Sequence, residues 1–213
     1  MLINFGESLA RHLPTLAEPE VHPHVPEERA DLFHSVGADS PELETLTLLN
    51  ALVCLFKPEL ALVTGTASGY STVAIASALR SNRNGRVHTI ELDEGVATKA
   101  HQNMLALDSD LESWITYHIG DSRAFIQEWM APPLDFVFFD SPFEVRHAEL
   151  ELMLRRGMLA DGAVCVFHDT SPGRAEYSDD FDPETLEALN RFSAGKQWIE
   201  APYSRGLRVV RLT

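Results

Sequence analysis

The chain reads Ala61-Leu62-Val63-Thr64-Gly65-Thr66-Ala67-Ser68-Gly69-Tyr70-Ser71-Thr72 where an apolar run gives way to a helical pattern. A buried parallel strand that ends in a tight turn leaves backbone N–H groups exposed at the start of the next helix, where anionic or dipolar ligand groups bind. Gly65 and Gly69 let the backbone pass close to a ligand, because neither carries a Cβ. The stretch predicts a strand, a ligand-binding turn and a helix, and an ordinary strand-to-helix turn is the alternative.

Predicted strands and helices alternate outward from this unit. The apolar runs predict strands at Leu60–Thr64, Arg86–Glu91, Ile115–Ile119, Leu134–Asp140 and Gly162–His168. Helical patterns follow at 70–81, 95–107, 122–130, 144–156 and 183–192. An earlier helix, with Ser40 as its N-cap and Pro41 at its first position, ends before Lys57-Pro58. This alternation predicts a parallel sheet with right-handed crossovers, buried on both faces.

The two ends of the chain differ in regularity. Trp198–Glu200 and Leu207–Leu212 predict two closing strands joined by a turn at Ser204-Arg205-Gly206. The expected fold class is α/β, a Rossmann-like seven-stranded, mostly parallel sheet with helices on both faces and a C-terminal antiparallel β-hairpin. Residues 1–39 are irregular and rich in proline. We expect 1–39 to form an N-terminal lid or dimerisation segment and 40–213 to form the ligand-binding domain.

Composition and charge narrow the classes of partner. The 213 residues are 45% hydrophobic and 23% charged, with a formal net charge of −15. A surface this acidic repels phosphate backbones, so we expect no nucleic-acid partner. No apolar run is long enough to span a bilayer and the first residues lack a signal-peptide pattern, which predicts a cytoplasmic protein with no membrane partner. Cys54 and Cys165 lie in apolar runs and are predicted to be buried thiols.

Acidic side chains follow the predicted strands, at the edge of the sheet where such folds bind ligands. Glu91 lies about twenty residues past the glycine turn, where a carboxylate can bind both hydroxyls of a ribose. Asp121 suits either the cap of a helix or an exocyclic amine of adenine. Asp140 and the pair His168-Asp169 end the next two strands. Carboxylates at a buried edge lose solvation unless they bind something, so we expect a nucleoside with either a cation or a proton relay.

These motifs resemble those of the class I S-adenosylmethionine-dependent methyltransferases, of the small O-methyltransferase type related to catechol and caffeoyl-CoA methyltransferases. Within that group the chain looks most similar to bacterial enzymes whose fifth strand ends in Phe-His-Asp-Thr. The resemblance extends from about Ser40 to Thr213. Its motifs are Gly65–Thr72, Thr89–Asp93, Gly120–Ser122, Phe138–Asp140, Val166–Thr170 and Ser204–Leu207.

The resemblance implies an S-adenosylmethionine-binding methyltransferase domain over 40–213 that methylates a hydroxyl of a small metabolite. It also implies a homodimer formed through the N-terminal segment. The glycine turn would hold the methionine end of the cofactor, Glu91 the ribose hydroxyls, and Asp121 and Ser122 the adenine. The cofactor-binding residues it implies are Gly65, Ala67, Gly69, Tyr70, Ser71, Glu91, Asp121, Ser122 and Asp140.

The resemblance also implies the catalytic residues Asp140, His168 and Asp169. In metal-dependent relatives the matching positions bind Mg²⁺ or a similar ion, which would hold a substrate hydroxyl and lower its pKa. A histidine with two carboxylates favours Mn²⁺, Fe²⁺ or Zn²⁺ over Mg²⁺. Without a metal, His168 is the predicted base, oriented by Asp140 or Asp169. The sequence leaves both alternatives open.

Departures from the family pattern keep other functions open. Val63-Thr64 replaces the acid that usually precedes the first glycine, and Ser141–Glu144 stands where catechol-type enzymes carry a catalytic lysine. A catalytically silent cofactor-binding module is therefore an alternative. A nicotinamide-dependent oxidoreductase is a weaker one, because the turn lacks the Gly-x-Gly-x-x-Gly spacing. Residues 1–39 and 171–182 are expected to set the specificity for the methyl acceptor.

Overall fold

A computed structural model of the chain describes residues 20–21, 34–35, 40–173, 181–201 and 205–212. Two short strands, β1 (Glu20–Val21) and β2 (His34–Ser35), pair with each other in antiparallel orientation. The remaining strands are β3 (Leu60–Thr64), β4 (Arg86–Glu91), β5 (Ile115–Ile119), β6 (Leu134–Phe139), β7 (Leu159–His168), β8 (Gln197–Ala201) and β9 (Leu207–Arg211). The helices are α1 (Leu43–Phe56), α2 (Tyr70–Asn82), α3 (Glu94–Asp108), α4 (Ser122–Glu128), α5 (Phe143–Arg155) and α6 (Pro183–Ser193), with a 3₁₀ helix at Ser109–Trp114.

Within the described part of the chain, strands β3 to β9 form one seven-stranded sheet in the order β5-β4-β3-β6-β7-β9-β8. Strands β3 to β7 are parallel, and β9 is antiparallel to both β7 and β8. The predicted fold class is confirmed. The order reverses between β3 and β6, so the carboxyl ends of these two central strands flank the crevice where such sheets bind ligands.

The central strands are buried on both faces, as their continuous apolar runs predict. Val63 points into a core formed with Leu46, Leu49 and Val73, on the side of α1, α2 and α3. Its neighbour Leu62 points into the opposite core, on the side of α4, α5 and α6. Successive side chains of a strand alternate between faces, so a central strand such as β3 contributes to both cores.

The start of α1 corrects one prediction. Ser40 is not the N-cap and Pro41 is not the first helical residue, because the helix begins at Leu43 and Glu42 takes the N-cap position. Glu42 has an extended backbone (φ −61°, ψ 148°), and its side chain makes no capping hydrogen bond. The carboxylate instead turns inward and is buried. The N-cap residue of α1 therefore places a carboxylate in the protein interior.

Other boundaries shift by one to three residues. Strand β6 ends at Phe139, so Asp140 is the first residue beyond it. Strand β7 begins at Leu159, three residues before the predicted start at Gly162. Helix α4 ends at Glu128, two residues before the predicted end.

Cys165 is buried and Cys54 is partly buried, and both are free thiols.

Several predictions concern residues outside the described ranges. The lid or dimerisation segment at 1–39 lies outside them except for β1 and β2, and so do 174–180 of the predicted specificity loop and Ser204 of the closing turn. Across the ranges that the structure describes, no helix is both long enough and apolar enough to cross a membrane.

Two histidines stack between β4 and β5. The ring nitrogens His88 Nδ1 and His118 Nε2 are 2.9 Å apart, and the rings are nearly parallel with Trp129 against the edge of His88. Burial, followed by the charges of His118 and Arg86, lowers the pKa of His88 to about 4, and burial lowers the pKa of His118 as well. At least one ring must be neutral to accept the hydrogen bond, so the pair is stable only when it is not fully protonated.

We expect this pair to make the fold acid-sensitive. Unfolded His88 binds a proton below its ordinary pKa of about 6.5, whereas folded His88 resists protonation down to about 4. The contribution of His88 to the free energy of unfolding should therefore be fully present above pH 6.5 and be lost as the pH falls from 6.5 to about 4. Urea unfolding of the wild type and of His88→Phe across this range isolates the contribution. An identical pH slope in the two proteins would contradict it.

Candidate active site

The glycine turn between β3 and α2 is built on left-handed backbone conformations. Gly65, Ala67 and Gly69 have φ values of 79°, 45° and 88°. A Cβ on Gly65 would lie 2.4 Å from the carbonyl oxygen of Asp140, so only glycine lets the ends of β3 and β6 approach this closely. Gly65 N–H also donates to the carbonyl of Ile90 at 3.1 Å. The turn is thereby fixed against the ends of both neighbouring strands.

Glu91, the last residue of β4, lies directly against this turn. Its Oε2 accepts a hydrogen bond from Ala67 N–H at 2.9 Å, and its Oε1 accepts one from Asp93 N–H at 3.2 Å. The structure thus brings the predicted ribose-binding carboxylate together with the glycine turn. Leu92 and Ile119, at the ends of the adjacent strands β4 and β5, are 69% and 58% exposed. The sequence analysis did not select Leu92 and Ile119 as candidate site residues. Their position, as apolar residues at strand ends among acidic ones, would have identified them.

Asp121 and Ser122 follow β5 and have partners within the chain. Asp121 caps α4 by accepting from Arg123 N–H at 2.8 Å and Ala124 N–H at 3.3 Å, and it pairs with the Arg123 guanidinium. Those hydrogen bonds, led by the one from the Arg123 side chain, lower the pKa of Asp121 to about 2. The Ser122 hydroxyl donates to Glu149. The capping role is therefore present, and contact with adenine stays a prediction.

Glu149 is a buried carboxylate that the sequence reasoning missed. It accepts hydrogen bonds from Thr64 Oγ1 and Ser141 Oγ, both at 2.9 Å, and from Ser122. Thr64 is the last residue of β3, and Ser141 and Ser122 come shortly after β6 and β5. One carboxylate therefore links the ends of three strands. Burial raises the pKa of Glu149. The signal was its position on the buried face of α5, where Glu149 shares helical spacing with Leu150 and Met153.

His168, at the end of β7, lies between two carboxylates. Its Nδ1 is 2.9 Å from Asp140 Oδ1, and its Nε2 is 2.9 Å from Glu42 Oε2. Asp169 Oδ1 is 3.6 Å from the same Nδ1. Burial alone would lower the pKa of His168, but the charges of Asp169, Asp140 and Glu42 outweigh it and raise the pKa to about 9. The ring is therefore a cation at neutral pH.

Two arginines of the described chain also lie in this site. Arg146 Nη2 lies 3.0 Å from Asp169 Oδ2 and 3.5 Å from Asp140 Oδ1, and Arg146 also donates to the backbone carbonyls of Ser141 and His168. Arg205 Nε lies 2.6 Å from Asp169 Oδ1 and its Nη2 lies 3.1 Å from Oδ2. We call the whole set the ionic cluster; its members are Glu42, Asp140, Arg146, His168, Asp169 and Arg205.

The predicted metal ligands are close together but do not fit a cation as arranged. One ligand atom from each of Asp140, His168 and Asp169 lies within 4.8 Å of the others. A metal requires a neutral imidazole with a free lone pair, whereas both nitrogens of His168 face carboxylate oxygens. Both oxygens of Asp169 lie against guanidinium groups.

Comparison with known proteins places this fold in a family. A methyltransferase domain family matches residues 62–170, from β3 through the glycine turn to the residues after β7. The chain belongs to this family. The matched residues contain every site residue named above except Glu42 and Arg205, which close the ionic cluster from outside it. The predicted resemblance to the class I methyltransferases is confirmed.

Individual relatives agree with this assignment. A probable O-methyltransferase of Mycobacterium tuberculosis is 32% identical over 138 residues, which cover 62% of this chain and 58% of that protein, so the match spans less than two thirds of the relative. An O-methyltransferase from Bacillus cereus, solved with SAH, is 22% identical with a TM-score of 0.70, covering 100% of this chain and 94% of that one. The O-methyltransferase TomG from Streptomyces achromogenes, solved with SAM, is 21% identical with a TM-score of 0.66, covering 98% and 96%. At these identities the solved structures support the fold.

Proposed function

We propose that this methyltransferase-family chain transfers a methyl group from S-adenosylmethionine to a hydroxyl of a small metabolite. The observation that carries the proposal is the contact of Glu91 with the glycine turn, because a carboxylate then lies beside a partly exposed turn at the crevice of the sheet. The names of the relatives agree, since two solved neighbours hold SAM or SAH and are called O-methyltransferases.

The described residues fit this cofactor. The turn is shaped by left-handed residues, and the exposed Leu92 and Ile119 offer apolar surface for an adenine next to Glu91. In the proposal the turn takes the methionine end and Glu91 takes the ribose hydroxyls. The full set of proposed cofactor-binding residues is Gly65, Ala67, Gly69, Tyr70, Ser71, Glu91, Asp121, Ser122 and Asp140.

The bound cofactor supplies an electrophilic methyl group on a sulfonium sulfur, which keeps the electron pair of the broken C–S bond while the acceptor oxygen forms the new C–O bond. The acceptor hydroxyl must lose its proton, and we assign that proton to Asp140. Its side chain is 12% exposed, against 2% for Glu42 and 2% for Asp169, so it is the most accessible carboxylate of the ionic cluster. His168 then orients Asp140 through its Nδ1–H. Holding the two reactants in line supplies much of the rate.

Three further predictions belong to this proposal. The acceptor is a small hydroxylated molecule, in keeping with the acidic net charge of the chain. The chain forms a homodimer through its N-terminal segment, and it is cytoplasmic. Family membership favours methyl transfer over the nicotinamide-dependent oxidoreductase. The catalytically silent cofactor-binding module is the alternative, and it differs from the proposal in turnover alone.

Calorimetric titration with S-adenosylhomocysteine tests the proposed cofactor site. Glu91→Ala should weaken binding by about 1–3 kcal/mol, or about 5- to 150-fold in Kd, because charge-assisted hydrogen bonds are lost. Glu94→Ala is the matched control, since Glu94 is an exposed acid three residues further on. Its Kd should stay within about twofold of the wild type, as expected for a surface substitution. Equal loss in both variants, or no binding by the wild type, would contradict the proposal.

A further inference from the structure

Among the residues that the structure describes, the ionic cluster contains three carboxylates and three cationic side chains. Glu42, Asp140 and Asp169 are carboxylates, and they face the imidazole of His168 and the guanidiniums of Arg146 and Arg205. The side chains are at most 14% exposed. A divalent cation among these six side chains would add two positive charges beside the guanidiniums of Arg146 and Arg205, in a region nearly closed to water. Desolvation of unpaired charge opposes such an arrangement.

Hydrogen-bond geometry also opposes the binding of a divalent cation at this site. Both ring nitrogens of His168 lie 2.9 Å from carboxylate oxygens, so both must carry a proton to be satisfied. A metal would need one of those nitrogens deprotonated and turned away from its carboxylate. It would also need carboxylate oxygens at about 2.0–2.6 Å, the range for divalent ions in proteins. Two guanidiniums already occupy that side of Asp169.

Arg146 is held in place from several directions. Besides Asp169, it contacts the carbonyl oxygens of Ser141, at 2.6 Å, and of His168. These carbonyls lie just beyond the end of β6 and at the end of β7. Moving the guanidinium aside for an ion would leave buried carbonyls without their donor, which costs free energy. Arg146 is therefore a fixed part of the centre.

We infer that the ionic cluster takes the place of a divalent cation, and that the wild-type chain binds no such ion at Asp140, His168 and Asp169. Arg146 and Arg205 supply the positive charge that an ion would bring, and both ring nitrogens of His168 already have carboxylate partners. Resting on the proposed function, methyl transfer then proceeds without added metal and in the presence of a chelator. His168 and Glu42 act as positioning residues for Asp140.

Electron paramagnetic resonance with Mn²⁺ tests this inference on the full chain. Free Mn²⁺ gives a six-line spectrum that is lost when the ion is bound, and the wild type should leave this signal unchanged at every protein concentration. One bound Mn²⁺ per chain that is lost in Asp140→Asn would overturn the inference. The same samples titrated with S-adenosylhomocysteine report on the proposed function separately, because cofactor binding needs no Mn²⁺ in either case.

A pair of substitutions at Arg205 tests whether the charge of this arginine is what excludes the cation. Arg205→Ala removes one positive charge next to Asp169, so this variant should gain Mn²⁺ binding. Arg205→Lys keeps the charge and should not. Circular dichroism establishes that both variants are folded; if Arg205→Ala does not fold, the wild-type measurement decides alone. A folded Arg205→Ala that binds no Mn²⁺ would overturn the inference, since arginine charge would then not be what excludes the ion.

Discussion

Arg146→Met should lower the free energy of unfolding by about 3–5 kcal/mol, the range for removing one partner of a buried ion pair. Arg146 is 2% exposed and contacts Asp169 and Asp140 at 3.0 Å and 3.5 Å. Methionine keeps much of the volume and the flexible stem, so packing is changed little. What is lost is the charge that compensates two carboxylates and the donor for two carbonyls. Urea denaturation at pH 7 measures the change.

Arg191→Met is the matched control for this measurement. Arg191 forms an ion pair with Glu187 at 2.7 Å on the exposed face of α6, where the two side chains are 64% and 72% exposed. Such surface pairs contribute little, so the control should change the free energy of unfolding by less than about 0.5 kcal/mol. Similar losses in the two variants would show that the carboxylates around Arg146 are not held in a buried cluster.

About half of the candidate site could be predicted from the sequence, because it lies at the ends of strands. Glu91, Asp140 and His168 each lie at or just beyond the end of a parallel strand, and the strands were recognisable from apolar runs and turns. Because the carboxyl ends of parallel strands meet at one edge, placing the strands also places these three side chains. No knowledge of individual contacts was needed.

Glu42, Arg146, Glu149 and Arg205 could not be predicted in this way. Glu42 reaches His168 across 126 residues of sequence, and it looked like the first turn of a helix that Ser40 would cap. Arg146 and Glu149 share the buried face of α5, where helical spacing identifies the face but not the partner. Helix periodicity contains no information on which strand end a charged side chain meets. That depends on how the helix packs across the sheet, which emerges only with the fold.

The ionic cluster also changes the interpretation of His168. From its ordinary pKa, the sequence favours a neutral base. Three carboxylates instead hold it as a cation, with both nitrogens donating. A protonated ring cannot take a proton from an acceptor hydroxyl, whereas the partly exposed Asp140 beside it can. In the proposed mechanism Asp140 is therefore the base and His168 orients it, which reverses the roles that the sequence predicts.

This exchange of roles predicts the effect of Asp140→Asn. The amide retains the size of the carboxylate but is not a base, so turnover should fall by about 10²–10⁴-fold, the usual contribution of a general base. The Kd for S-adenosylhomocysteine should stay within about threefold of the wild type, because asparagine keeps an oxygen acceptor at the position of Asp140 and the ribose and methionine ends are bound by Glu91 and the glycine turn. Initial rates with the best acceptor from a panel of hydroxylated compounds, together with calorimetry, separate the two effects.

Asp135→Asn provides the control on the same strand. Asp135 lies at the opposite end of β6, where its Oδ2 accepts from the N–H groups of Glu59 and Leu60 at 2.9 Å and 3.0 Å. The substitution weakens a charge-assisted contact far from the crevice, so it should cost stability and leave turnover nearly unchanged. If Asp140→Asn kept its turnover, Asp140 would not take the proton. If both variants lost turnover equally, the loss would follow from a weakened β6 rather than from chemistry at its carboxyl end.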